Sequence, residues 1–141
     1  MPTESEAGRY VEEAVAAYPS IREVWLFGSR ANGTARPDSD WDYLAFADWP
    51  TLGALRSDAR FNREGVDLLI VVDGVRYEKP WPDRRGIKYG TLADDIGGLR
   101  WKQLTPTTAT YTATKQVGAS WWEMAVLPNQ TARRVYPYAR A

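Results

Sequence analysis

The sequence has no cysteine and no histidine among its 141 residues. Their absence excludes disulfides, a thiolate nucleophile, an imidazole general base and the usual zinc ligand sets. Any metal must be held by oxygen, chiefly carboxylate, and such sites favour Mg2+, Mn2+ or Ca2+. Excess charge is also missing, since 18 Lys and Arg balance 18 Asp and Glu. Proteins that coat nucleic acid usually carry a basic excess, so no bulk polyelectrolyte partner is expected. Only Arg22, Arg30 and Arg36 gather as a local basic group, around one loop. No apolar run approaches the ~18 residues of a membrane span. The opening residues, Met-Pro-Thr-Glu-Ser-Glu, show neither the basic start nor the apolar stretch of a secretory signal. The expectation is a cytoplasmic protein with no membrane partner, and the lack of cysteine agrees with it.

What is present fits one compact domain. Hydrophobic residues make up 44% and charged residues 26%, ordinary values for a soluble globular protein. A chain of this size buries roughly 68–70% of its unfolded surface. Seven Trp and eight Tyr are a high aromatic load. Core packing explains most of them, with stacking platforms or a partner surface as the sharper alternative.

Helical spacing of Tyr10, Val11, Ala14, Val15 and Tyr18 predicts a helix from Glu6 to Tyr18, stopped by Pro19-Ser20. The nearly continuous apolar run to Phe27 predicts a strand from Ile21, buried on both faces. A polar loop from Gly28 to Asp38 follows, with one short helical turn at Ser29–Asn32. Further strands are expected at Asp40–Phe46 and Val66–Val72, with a helix at Thr51–Phe61 capped by Thr51 between them. Asp73-Gly74 reads as a turn and Val75–Tyr77 as a short return strand. Beyond Glu78 the signals weaken. Leu92–Leu99 and Ala119–Leu127 have helical patterns, and Pro128-Asn129 breaks the second. Leu104–Thr114 suits a strand by propensity or a helix opening after Pro106. Arg133–Tyr136 reads as a last short strand.

The chemistry is concentrated in Gly28-Ser29, Asp40-Trp41-Asp42 and Asp67. Side chains alternate along a strand, so Asp40 and Asp42 share a face while Trp41 and Tyr43 turn toward the core. Two carboxylates this close repel, and a divalent cation is the common remedy. Asp67 is out of place inside the apolar run Val66-Asp67-Leu68-Leu69-Ile70. If its strand lies beside Asp40–Phe46, three carboxylates can hold two Mg2+ ions about 3.5–4 Å apart, one for an attacking hydroxyl and one for a triphosphate. Gly28 lets backbone amides approach a phosphate, Ser29 adds a hydroxyl, and Arg30 and Arg36 reach phosphate oxygens. Alone, a Gly-Ser pair carries no signal and an Asp-x-Asp is usually a turn or a solvated edge. The combination, in strand–loop–strand–helix–strand order, is much harder to explain that way.

The stretch from Val24 to Tyr43, Val-Trp-Leu-Phe-Gly-Ser-Arg-Ala-Asn-Gly-Thr-Ala-Arg-Pro-Asp-Ser-Asp-Trp-Asp-Tyr, resembles the signature of the DNA polymerase β-like nucleotidyltransferase superfamily. It is most similar to the small stand-alone minimal nucleotidyltransferases of prokaryotes, and Asp67-Leu68-Leu69 fills the place of the third aspartate. The resemblance implies an α+β fold with a mixed β-sheet flanked by helices, in a single domain over residues 1–141. Its motif core is residues 21–72; residues 73–141 form an extension with no recognised motif apart from Arg133–Tyr136, which resembles the family's short closing strand. It further implies two Mg2+ ions, with Mn2+ as a substitute, on Asp40, Asp42 and Asp67. Gly28 and Ser29 would contact the triphosphate, and Asp67 would lie nearest the acceptor hydroxyl and help accept its proton.

The activity so implied is transfer of a nucleoside monophosphate, with AMP favoured, from ATP or another nucleoside triphosphate to a hydroxyl on a protein, a small molecule or a nucleic acid. The alternative is a non-catalytic, antitoxin-like or regulatory nucleotide-binding module acting on a toxin-like protein partner. Trp101, Trp121 and Trp122 would form its contact patch. A nucleic-acid acceptor is less favoured by the zero net charge, and a basic groove leading to Asp67 would revive it.

Overall fold

The computed structural model describes residues 1–84, 86–93, 99–120 and 122–137. Helix α1 (Glu4–Ala17) begins at Thr3 with a reciprocal cap. The Glu6 amide donates to the Thr3 hydroxyl at 3.1 Å, and the Thr3 amide donates to the Glu6 carboxylate at 3.2 Å. The helix turns Tyr10, Val11 and Ala14 inward. Strand β1 (Glu23–Phe27) is the expected doubly buried run, ending at a single helical turn, α2 (Ser29–Asn32). Strand β2 (Trp41–Phe46) and strand β3 (Val66–Val72) bracket helix α3 (Trp49–Arg56) and a 3-10 turn at Ala59–Phe61.

The expected helix over Thr51–Phe61 is thus two pieces. Asp48 is the cap, its carboxylate accepting the Thr51 amide at 2.9 Å, and Thr51 lies inside the helix. Asp58 caps the second piece by accepting the Arg60 amide at 3.2 Å. Two Asp caps ten residues apart in the sequence split what periodicity alone joins.

Strands β4 (Arg76–Glu78), β5 (Tyr89–Thr91), β6 (Leu99–Gln103), β7 (Thr108–Gln116) and β8 (Met124–Tyr136) complete one eight-stranded sheet, in the order β5-β4-β3-β2-β1-β8-β7-β6. β2 and β3 run parallel and the other neighbouring pairs are antiparallel, so the sheet is mixed as expected. The β3–β4 turn is tight. Asp73 and Gly74 have φ of 55° and 74°, and the Val75 amide donates to Val72 O, the backbone of a primed hairpin turn.

The two faces are covered differently. One, with Val24, Leu26, Tyr43, Leu68 and Ile70, packs against buried residues of α1 and α3. The other, with Trp25, Phe27, Leu44, Leu69 and Val71, packs against Leu99, Ala109, Tyr111 and Ala132 of β6, β7 and β8. The sheet therefore curls over its own second face, and the Trp101 amide donates to Leu92 O at 2.8 Å across the gap. Trp101 stands edge-on to Trp25, centroids 5.3 Å apart, and stacks on Tyr111 at 6.1 Å. Flanking by helices is one-sided, and strands dominate the described residues.

The second half departs most from expectation. The helix expected at Leu92–Leu99 falls on residues 94–98, outside the described residues, and Leu99 already belongs to β6. Leu104–Thr114 resolves as a strand preceded by a turn, in which the Thr105 hydroxyl accepts the Thr107 and Thr108 amides. The helix expected at Ala119–Leu127 is not formed over Met124–Leu127, which pairs with β7 (Trp121 lies outside the described residues). Pro128-Asn129 interrupts no helix. It makes a bulge where the β7–β8 register shifts between Tyr111 and Ala113, with Asn129 at φ 56°. Arg133–Tyr136 is the end of this 13-residue strand, the part that pairs with β1. No helix among the described residues is long and apolar enough to cross a membrane.

Candidate active site

The strand directions bring one end of the sheet to chemical use. β1 ends where β2 begins, and β3 begins beside β2 because the two are parallel. β4 ends and β5 begins at that same end. Five adjacent strands thus present Gly28, Asp42, Asp67, Lys79 and Lys88 in a row. Asp42 and Asp67 are direct register partners, the juxtaposition the sequence pattern anticipated. Trp41 and Tyr43 are buried on the helix-covered face, also as anticipated. Asp40 precedes the first residue of β2 and is exposed.

Gly28 makes the turn from β1 into α2 with φ 73° and ψ −162°. That region is essentially restricted to glycine. A Cβ at this position would also collide with the Asp42 Oδ2 atom. The glycine therefore lets backbone and carboxylate approach at once. The Gly28 amide donates to the Tyr111 hydroxyl at 2.8 Å. The Asn32 Nδ2 donates to Gly28 O at 2.8 Å and to the same hydroxyl at 3.2 Å. The other end of that amide, Oδ1, accepts the Thr131 amide at 2.7 Å. The Gly28–Asn32 turn is thereby fastened to β7 and β8. Ser29 is half-buried, and its hydroxyl makes no hydrogen bond among the described residues.

The two facing carboxylates have opposite electrostatics. Asp42 makes no hydrogen bond or ion pair among the described residues. Burial, then the negative charge of Asp67, pushes it up to about 7. Asp67 is also buried, which alone would raise it, but Lys88 and Lys79 outweigh the burial and hold its carboxyl below the ordinary value. Lys88 Nζ lies 2.8 Å from Oδ2 and Lys79 Nζ 3.1 Å from Oδ1. The two lysines are tied to each other by the Lys79 amide donating to Lys88 O at 2.8 Å.

Removing Asp67 would leave two ammonium groups facing each other. Asp67→Asn is therefore expected to lower the melting temperature, by a stability loss of about 1–3 kcal/mol given the partial exposure of both lysines. Thermal denaturation of wild type and variant at one pH checks this.

The expected three-carboxylate cluster is not formed: no three acidic side chains among the described residues are grouped to hold an ion. The fit to a metal is divided. Asp42, uncompensated and half-buried beside Asp40, suits one hard divalent cation. Asp67 already has its charge balanced by two ammonium groups, which does not suit a second ion in this arrangement.

The arginines are placed otherwise than expected. Arg30 donates to Ser39 O at 3.0 Å and to Pro37 O at 3.3 Å, and its guanidinium lies 4.7 Å from the Trp41 ring centroid. It braces the loop leading into Asp40. Arg36 is exposed on that loop, its amide donating to the Ser39 hydroxyl at 2.8 Å. Arg22 sits at the opposite end of β1, where its amide donates to Phe46 O, and does not join them. Sequence reasoning missed Lys79, Lys88, Asn32 and Tyr111. The only sequence signal was a pair of lysines bracketing the Pro80-Trp81-Pro82 loop; nothing local marked Tyr111.

A mixed sheet with a Gly-Ser turn on one strand, and an aspartate at the same end of each of the next two, defines the nucleotidyltransferase class of domain. The family model described as nucleotidyltransferase domain matches residues 9–117, and the chain belongs to that family. The match runs well past the residue 21–72 motif region. One solved structure, a protein from Sulfolobus solfataricus described as a candidate nucleotidyltransferase, is 31% identical. The alignment covers 48% of this chain and 65% of that one, with a TM-score of 0.40. No curated protein matches.

Proposed function

We propose that the protein transfers a nucleoside monophosphate, AMP from ATP, to an acceptor hydroxyl in a reducing, cytoplasmic setting. The observation that carries this reading is the placement of Asp42 between the Gly28-Ser29 turn and its register partner Asp67. The turn offers a free hydroxyl and a close backbone approach for triphosphate oxygens. Asp42, with Asp40, would hold a Mg2+ ion, which when bound supplies charge neutralisation for the triphosphate. In-line displacement puts the attacking oxygen opposite the leaving pyrophosphate. With the phosphates at Gly28, the acceptor belongs on the Asp67 side, over the hairpin carrying Lys79 and Lys88. Asp67, held ionised by those lysines, orients the hydroxyl by accepting its hydrogen bond and is a weak base. The lysines favour an acceptor that itself bears negative charge.

The test is incubation with labelled nucleoside triphosphates, Mg2+ or Mn2+, and protein, small-molecule and oligonucleotide acceptors. Asp40→Asn and Asp67→Asn are each expected to cut transfer by about 100-fold or more. Transfer that survives either change overturns these roles.

A second reading, action through partner contact, is favoured by a separate surface. Val117, Trp122, Met124, Val126 and Leu127 are exposed around the outer part of the β7–β8 ribbon. Trp101, expected in such a patch, is half-buried and packs against the second core, edge-on to Trp25. A toxin-like partner retained on purification, and still retained by Asp42→Asn, would establish this reading in place of the first.

A further inference from the structure

A phenolic oxygen has one proton to give and can accept about two hydrogen bonds. At Tyr111 both accepting directions are used, by the Gly28 amide at 2.8 Å and by Asn32 Nδ2 at 3.2 Å. The assignment of the Asn32 amide is forced. Its Oδ1 must face the Thr131 amide, 2.7 Å away, so its nitrogen faces Gly28 O and Tyr111. The Tyr111 proton must therefore point elsewhere, and it has no acceptor among the described residues. The ring cannot swing to find one. It is buried in the second core, edge-on to Phe27 at 6.0 Å and stacked on Trp101 at 6.1 Å. Asp42 approaches the same glycine, its Oδ2 lying where a Gly28 Cβ would stand.

We propose that Tyr111 is a positioning residue of the nucleotide site: it fixes the Gly28–Ser29 turn through the Gly28 amide and offers its own O–H to an anionic oxygen seated at that turn. This rests on the nucleotidyl-transfer reading above. Burial raises the Tyr111 hydroxyl above its ordinary value, so the proton stays in place at neutral pH. The ligand it recognises is a phosphate oxygen of the triphosphate, not the base or the sugar.

The experiment compares ATP and adenosine binding, each with Mg2+, to wild type, Tyr111→Phe and Asn32→Ala by calorimetric titration, with melting temperatures alongside. Tyr111→Phe removes one oxygen and leaves the ring packing intact. The expected result is about a 10-fold weaker ATP affinity, near 1.4 kcal/mol, with adenosine affinity within about two-fold of wild type. In turnover the loss should fall on KM for the triphosphate more than on kcat. Asn32→Ala should weaken ATP in the same sense, since it frees the turn from β8. A purely structural role would lower the melting temperature and weaken both ligands alike, which would overturn the proposal. So would unchanged ATP affinity in Tyr111→Phe. If wild type binds neither ATP nor other triphosphates, the nucleotidyl-transfer reading fails and this inference falls with it.

Discussion

Replacing Asp42 with Asn is expected to abolish nucleotidyl transfer and at the same time to make the metal-free protein more stable. Burial and the neighbouring Asp67 carboxylate push Asp42 up to about 7, so the folded chain holds this proton far more tightly than the unfolded chain does. A neutral Asp42 is thus what the fold prefers. The stability it contributes is complete below about pH 4 and is lost as pH climbs through about 7. Asparagine keeps the shape and never ionises. The stability gap between Asp42→Asn and wild type should be small near pH 4, widen to on the order of 2–4 kcal/mol by pH 8, and then level off. Excess Mg2+ should narrow the gap by stabilising wild type alone. Denaturant melts across pH, with and without Mg2+, read this directly. A wild type more stable than the variant at pH 8 without metal would sink the account of Asp42 as an uncompensated carboxylate. The opposite sign expected at Asp67 makes the pair of variants diagnostic, because both carry the same chemical change on facing residues.

Gly28→Ala is expected to be the most damaging single methyl in the site. The backbone at φ 73° and ψ −162° strains any side chain, costing about 1–3 kcal/mol. The added Cβ also meets the Asp42 carboxylate. Avoiding that contact means moving either the turn, which breaks the bond to Tyr111, or the Asp42 carboxylate, which then swings away from the Gly28–Ser29 turn. Either movement removes transfer, by about 100-fold or more. The double variant Gly28→Ala/Asp42→Gly should recover part of the lost stability, because the collision is gone, while activity stays lost and backbone strain remains. Additive stability changes in that cycle would show that the two positions do not touch.

The parts of this site that were legible in the sequence depend on local pattern. Val66–Val72 is continuous in apolar character except at Asp67, and Asp40-Trp41-Asp42-Tyr43 alternates with period two, so the strands and the outward-facing carboxylates follow. Parallel neighbours joined by a helix are the natural partners for such strands. What failed to show was set by long-range pairing. Tyr111 is 83 residues from Gly28. The stretch before Pro128 repeats its large apolar residues at helical spacing, yet Met124–Leu127 is drawn into a ladder by β7, and a bulge accommodates the proline. Lys79 and Lys88 meet Asp67 only because β4 and β5 pair in a register that the intervening loop does not encode. Arg30 looked like a phosphate ligand because it follows Gly-Ser; carbonyls of its own loop and the Trp41 ring take it first.

The two lysines ride on the sheet's outermost pair, β4 and β5, each only three residues long. Short terminal ladders open at far lower free energy than the centre of a sheet. Because both cations are borne by that one hairpin, its fraying withdraws them together and leaves β2 and β3 in register. Asp67 then changes from a balanced ion into a bare one, while Tyr77 leaves the second core with the hairpin. The chain thus has within reach a second charge state of the same cleft, separated from the first by the melting of one hairpin, and amide exchange at Tyr77, Glu78 and Tyr89 is the clock that would time it.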